Sequence, residues 1–315
     1  MPSRFPIAIA ALAMGVGITA CQSVVSSDSA RKDLQMCAPA GWSAPGGQVL
    51  AGEDLLDRMA AQSVVLLGEQ HDQASHHRWQ LDTLRALHQR RPHMIIGLEM
   101  FPRRVQPALD AWVRGELSED EFIVQSDWKK VWGFDPALYL DILRFARDAQ
   151  VELRALNVES ALTRRVGRNG FAAIPLEERE GITTPAAPSP AYVSSLEAVF
   201  SLHVTPHLKN GSDSDKQARL SGFIDAQLVW DRAMAQGIHA ALGEHPDALL
   251  VGLMGSGHLR HGHGVPHQLR DLGVTAQATL LPWDNGHDCA ELVAGVADAV
   301  YLLDPDPRPP RAAPL

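Results

Sequence analysis

Val64-Val65-Leu66-Leu67-Gly68-Glu69-Gln70-His71 decides the fold: four apolar residues run straight into a turn of the form G-x-x-H. The run is too short for an ordinary helix and is made of branched residues, the composition of a strand buried on both faces of a parallel sheet. The arrangement recurs at Leu249-Leu250-Val251-Gly252-Leu253-Met254, which leads into Gly255-Ser256-Gly257-His258. Two further runs end in polar residues: Met94-Ile95-Ile96-Gly97-Leu98 delivers Glu99, and Val151 to Leu156 delivers Asn157 with Glu159 beyond it. Ligands of open α/β sheets lie outside the carboxyl ends of the strands. Glu69, His71, Glu99, Asn157 and His258 are therefore expected on one rim, the candidate site.

Outward from these strands, the chain divides into four parts. Residues 1–20 carry Arg4, an apolar stretch from Phe5 to Ile18 and then Ala20-Cys21, which reads as a signal peptide of lipoprotein type, too short to span a bilayer, with Cys21 as the lipidated residue. Multiple acyl chains give stable anchoring. Gln22 in the next position favours the outer membrane, on its periplasmic face. Residues 21–48, rich in Ser, Ala, Pro and Gly, read as a flexible tether, 49–304 as an α/β domain and 305–315 as a disordered tail. Cys37 and Cys289 are the remaining thiols, and an oxidising compartment allows them to pair. A formal charge of −9 argues against nucleic acid as a partner, while 45% hydrophobic residues are ample for a large core.

The expected fold is a mixed, mainly parallel sheet flanked by helices, completed by strands from Val274 to Leu281 and Val300 to Leu303, with a helical insertion at about 190–245. Helices are expected from about Asp72 to Arg91, from Ser118 with Glu121 as a capping box, and from Asp135-Pro136 onward. The Pro-rich stretch from Thr183 to Pro190 reads as a mobile hinge or a lid margin before the insertion.

Glu69 and His71, two apart across a turn, can reach one point beside Glu99. Such a carboxylate–imidazole set can hold a divalent metal, do acid–base work, or only cap helix ends. His258, His261, His263 and His267 are four of fourteen histidines, and the last three fit a solvated surface run. Asp127 and Asp231 are either site residues or ordinary charges. Tyr139, amid Trp128, Trp132 and Phe134, is a candidate phenolate ligand for haem iron, with Tyr192 as the alternative phenol, or else a packed aromatic. Arg103-Arg104, Lys129-Lys130 and Arg164-Arg165 could hold carboxylates such as propionates or lie solvated. No P-loop, G-x-S-x-G, H-E-x-x-H or G-x-G-x-x-G is present.

Six blocks, in order, resemble the ChaN-like haem-binding lipoproteins of the Tiki/erythromycin-esterase superfamily: Gly68 to Asp72, Gly97 to Phe101, Trp132 through Tyr139, Ala155 to Asn157, Gln227 to Ala235, and Gly255 to His258 with Gly264-Val265-Pro266. Ser256 departs from an expected Asn, and Leu202-His203-Val204 from a His-Cys pair. The resemblance implies haem capture for iron uptake at the outer membrane and a homodimer around stacked haems with a Tyr ligand; on the residues themselves Trp132, His258 and Arg103 are candidates to lie near the haem, and an outer-membrane haem receptor is a possible partner. It also implies a rival, a hydrolase that uses Glu69, His71, Glu99 and His258, with or without a metal.

Overall fold

The computed structural model describes residues 40–203, 212–284 and 287–303. Seven strands form one sheet: β1 (Gly41–Ser43), β2 (Val64–Glu69), β3 (Met94–Pro102), β4 (Glu152–Asn157), β5 (Leu249–Gly255), β6 (Gln277–Trp283) and β7 (Ala299–Leu302), in the order β1-β7-β6-β2-β5-β3-β4. All neighbours are parallel except β1 and β7. The fold is thus the mixed, mainly parallel α/β sheet expected from the apolar runs.

Every residue of β2 and β5 is buried. Their lack of visible alternation has a simple cause: successive side chains point to opposite faces, and both faces are covered. Val65, Leu67, Ile96, Leu98, Val251 and Leu253 meet helices Gly52–Ala60, Ala74–Arg90, Gln106–Val113 and Leu140–Asp148 on one side. Val64, Leu66, Ile95, Leu250 and Met254 meet the long helix Asp213–Glu244 and helix Val265–Asp271 on the other. The central position of β2, between β5 and β6, places the ends of β2, β5 and β3 side by side.

The insertion is present as helices Pro190–His203 and Asp213–Glu244. The backbones of the long helix and of helix Ser160–Asn169 touch at Gly222 and Gly167, where a Cβ on Gly222 would lie 1.9 Å from the Gly167 carbonyl oxygen. The capping box forms as its spacing requires, with Ser118 Oγ accepting from the Glu121 N–H and the Glu121 carboxylate accepting from the Ser118 N–H. At Asp135 the helix signal marks a 3-10 turn, Pro136–Leu138, with the α-helix starting at Leu140.

Two expectations need correction. The tether does not run to residue 48, because Gly41–Ser43 pairs antiparallel with β7 and Trp42 packs edge-on against Tyr301 at 5.0 Å. Three residues are too few to show a strand period in sequence. Nor is the stretch before Pro190 a free hinge: Gln268 exchanges two hydrogen bonds with the Ala186 main chain, His267 Nε2 meets the Ala187 carbonyl, and the Thr183 N–H donates to Gln236. Cys289 is disulfide-bonded. Cys37 and Cys21, like the leader, most of the tether and the tail, lie outside the described residues. Among the described residues no helix is long and apolar enough to cross a membrane.

Candidate functional site

Glu69, the last residue of β2, is buried, and its carboxylate is the hub of the rim. Oε1 accepts from the Tyr139 hydroxyl at 2.6 Å and from His71 Nδ1 at 2.8 Å. Oε2 accepts from Gln80 Nε2 at 2.9 Å and lies 3.5 Å from His77 Nδ1. Burial alone would raise the Glu69 pKa, but the His71 hydrogen bond and the charges of His77 and His71 outweigh it and hold the carboxyl below its ordinary value. His71 responds reciprocally. Burial disfavours its charged form, yet the Glu69 hydrogen bond and the nearby Glu99 charge raise its pKa overall.

A second set faces the first. His258, leaving the end of β5, places Nδ1 2.6 Å from Asp231 Oδ1 and Nε2 3.5 Å from Glu99 Oε1. Asp231 is fully buried on the long helix, and its Oδ2 accepts from the Tyr192 hydroxyl at 2.7 Å. Burial opposes charge on His258, but Asp231 and Glu99 together push its pKa up to about 9. The imidazolium is therefore its form at neutral pH. Glu99 joins the sets: its Oε2 accepts from the Gly255 N–H at 2.6 Å. A Cβ placed on Gly255 would lie 3.0 Å from His71 Cε1 and 3.7 Å from Glu99 Oε2. The side-chain-free strand end leaves the two sets room to meet.

Glu69, His71, Glu99 and His258 are thus brought together as the rim argument expected. Tyr139 and Tyr192 are both buried and both donate to carboxylates, which, with burial, raises each phenol's pKa. Trp132 is half-buried with its ring 4.5 Å from that of His71, and Phe134, 36% exposed, lies 5.2 Å from it. Asn157 serves the backbone, donating to the Glu99 carbonyl and accepting from the Val158 N–H.

Five of the six residues in the basic pairs have other partners. Arg103 donates to the carbonyls of Glu180 and Ala233, Arg104 pairs with Asp127 and Glu159, Lys130 with Asp127, Arg165 with Glu178, and Arg164 reaches Ser160 Oγ. His261 and His263 lie with ring centroids 5.8 Å apart, and His263 also packs against Tyr192 at 5.2 Å. Among the described residues no group of three or more His, Cys, Asp or Glu is arranged to hold a metal ion, so the divalent-metal alternative gains no support.

Sequence reasoning missed Gln80 and His77. Both are buried polar residues three apart on helix Ala74–Arg90, a spacing that sets them on one face of the helix and marks them as partners of something at the strand end. Asp231, left in the sequence as either a site residue or an ordinary charge, is the buried partner of His258.

The model of a family described as haem-binding uptake, Tiki superfamily, ChaN matches residues 55–269. Among solved structures, ChaN of Campylobacter jejuni with cofacially bound haem superposes with a TM-score of 0.64 at 20% identity, covering 83% of this chain and 95% of that one. An erythromycin esterase in its open conformation aligns at 14% identity and a TM-score of 0.46, covering 77% of each chain. A toxin effector domain from Vibrio vulnificus aligns at 15% identity and a TM-score of 0.42, covering 78% of this chain and 40% of that one. No curated protein matches the sequence.

Proposed function

Because this chain belongs to the haem-binding uptake family of the Tiki superfamily, the ChaN family, we propose that it binds haem at the rim lined by His71, Trp132 and Phe134. The observation that carries this is the family match itself, which spans both G-x-x-H turns. The side chains there suit the group in kind: an imidazole whose Nδ1 is occupied by a carboxylate stands beside two partly open aromatic rings, which offer apolar area for a porphyrin. Haem would supply the iron that is carried, and the chain's own residues would hold it and keep water from its faces. Arg103 supports a propionate contact only if it gives up its two carbonyl partners.

We propose further that Cys21 carries lipid and anchors the chain at the periplasmic face of the outer membrane, where a homodimer takes haem and passes it to or from an outer-membrane receptor for iron acquisition. The residues around Cys21 support this reading. Adding haemin to purified protein and following the visible spectrum should give saturable binding with a defined stoichiometry. Non-saturating uptake, like that of a generic apolar surface, would refute haem binding. Cys21→Ala should turn a membrane-fractionating protein soluble, and unchanged fractionation would refute the anchor.

One observation favours a second reading, hydrolysis: His71 and Glu99 meet beside Gly255, His258 Nε2 lies 3.5 Å from Glu99, and each imidazole is held by its own carboxylate. In that reading Glu99 accepts a proton from an attacking water and cationic His258 stabilises the charge that develops. Ester turnover lost in Glu99→Gln, in protein that binds no haem, would replace the first reading with this one.

A further inference from the structure

Neither reading of the site uses His76, a fully buried histidine at the third position of helix Ala74–Arg90. Its Nδ1 accepts from the Gln70 main-chain N–H at 2.9 Å, and its Nε2 lies 3.3 Å from Oδ2 of Asp284, the residue that follows β6. A nitrogen that accepts carries no proton, so this ring is neutral and its one N–H, on Nε2, donates to Asp284. His77, the next residue, is placed the other way. Its Nε2 lies 3.2 Å from the His71 carbonyl, and its Nδ1 lies 3.2 Å from Gln80 Oε1 and 3.5 Å from Glu69 Oε2, so both nitrogens face acceptors. The main chain at Gln70 and His71 is thus pinned twice from one helix start, by a ring that must accept and by a ring that donates.

We infer that His76 is an acid-sensitive latch on the site: a proton taken from water at Nδ1 turns that nitrogen into a donor, leaves the Gln70 N–H without its acceptor and frees the turn that carries Glu69 and His71. The latch rests on neither the haem nor the hydrolase reading, since it acts on the turn whatever the rim holds. Its surroundings keep it closed at neutral pH. Burial is the largest influence and disfavours the charged ring; Asp284 favours it, while His287, whose ring stacks 6.3 Å away, and His77 disfavour it, and the balance holds the His76 pKa below its ordinary value. A position in the first turn of a helix also repels a cation. From β2, the Glu69 carboxylate is committed to Tyr139, His71 and Gln80. A folded ring that resists the proton its unfolded form takes near 6.5 contributes stability above that pH and gives it up as pH falls.

The test is a pH titration of the full mature chain by nuclear magnetic resonance, reading the imidazole nitrogens and the exchange of backbone amides. At about pH 8 His76 should show a bare Nδ1 and a protonated Nε2. On acidification the Gln70 amide should shift with the same midpoint as His76 Nδ1, below 6.5, and its exchange, corrected for the intrinsic rate, should quicken by more than about tenfold. His76→Asn, which offers an acceptor near the place of Nδ1 but does not titrate, should keep Gln70 protected through that range. Asp284→Asn, which removes a charge that favours the cation, should lower the midpoint. A Gln70 amide that holds its shift and protection while His76 titrates would overturn the latch, and so would one that follows the midpoint of His287. A His76 ring that already carries both protons at about pH 8, or that stays neutral until the protein unfolds, would overturn it as well. Should His76→Asn fail to fold, the wild-type midpoints and Asp284→Asn decide.

Discussion

Tyr139–Glu69–His71 and Tyr192–Asp231–His258 are built alike, a phenol donating to a buried carboxylate that grips an imidazole, yet they are assembled in opposite ways. In the first, carboxylate and imidazole lie two residues apart on one strand-to-helix turn, and from helix Ala74–Arg90 the carboxylate receives a hydrogen bond from Gln80 and has His77 Nδ1 3.5 Å away. In the second, each member comes from a different element: helix Pro190–His203, the long helix and the turn after β5. The first imidazole reaches solvent and the second hardly does. Local assembly thus yields a group that faces outward with many supporters. Assembly from distant elements yields a brace whose carboxylate has one imidazole and one phenol to satisfy it.

Asp231→Ala should therefore cost the most. It leaves cationic His258 and the Tyr192 hydroxyl buried without their acceptor, and removing one member of a buried ion pair destabilises by about 3–5 kcal/mol. Urea denaturation measures it. Glu69→Ala should cost less, about 1–3 kcal/mol, because His71 can turn to water while only Tyr139 and Gln80 are stranded. If Glu69→Ala proves the more damaging, the division into outward-facing group and brace is wrong.

The phenols sharpen the same point on a smaller scale. Tyr192→Phe should cost about 2 kcal/mol, as expected for a hydrogen bond to a charged group, and Tyr139→Phe about 1 kcal/mol, since Glu69 keeps two other donors, His71 and Gln80. Equal or inverted losses in paired denaturation curves would count against it. The mildest effect is with pH. An imidazole whose pKa rises on folding stabilises fully below its unfolded value near 6.5 and gives up that contribution as pH climbs through about 9. The Tm of wild type should therefore fall between about pH 7 and 10 more steeply than that of His258→Gln. Parallel slopes would mean that His258 is not charged in the folded protein.

The same contrast explains what the sequence disclosed. Val64 to Leu67, Met94 to Leu98 and Leu249 to Met254 were legible because strands buried on both faces need unbroken apolar runs, and with them came Glu69, His71, Glu99 and His258 at one rim. The Ser118–Glu121 box was legible because it is a local hydrogen-bond pattern. Asp231 was legible only as one of two candidate charges, and its pairing was not, since nothing near residue 231 in sequence announces a histidine 27 positions away. Tyr139 stood out as an aromatic among aromatics, but whether its oxygen faces iron or a carboxylate depends on where the end of β2 lies, which residue spacing does not encode. Gly41–Ser43 was lost in a Ser- and Pro-rich stretch because an edge strand of three residues needs only its partner β7.

Gly255 turns the rim into something that can be resized one atom at a time. Its missing side chain is an aperture whose sides are His71 and Glu99, and a single methyl would narrow it to 3.0 Å from the His71 ring, a gap that the ring can meet only by yielding a few tenths of an ångström. The backbone there does not require glycine, since its φ of −55° is open to any residue. A substitution at this position thus acts on empty space. Alanine in its place would leave the strand's backbone as it is and be felt first by the His71 ring, one atom altering the site without altering the sheet.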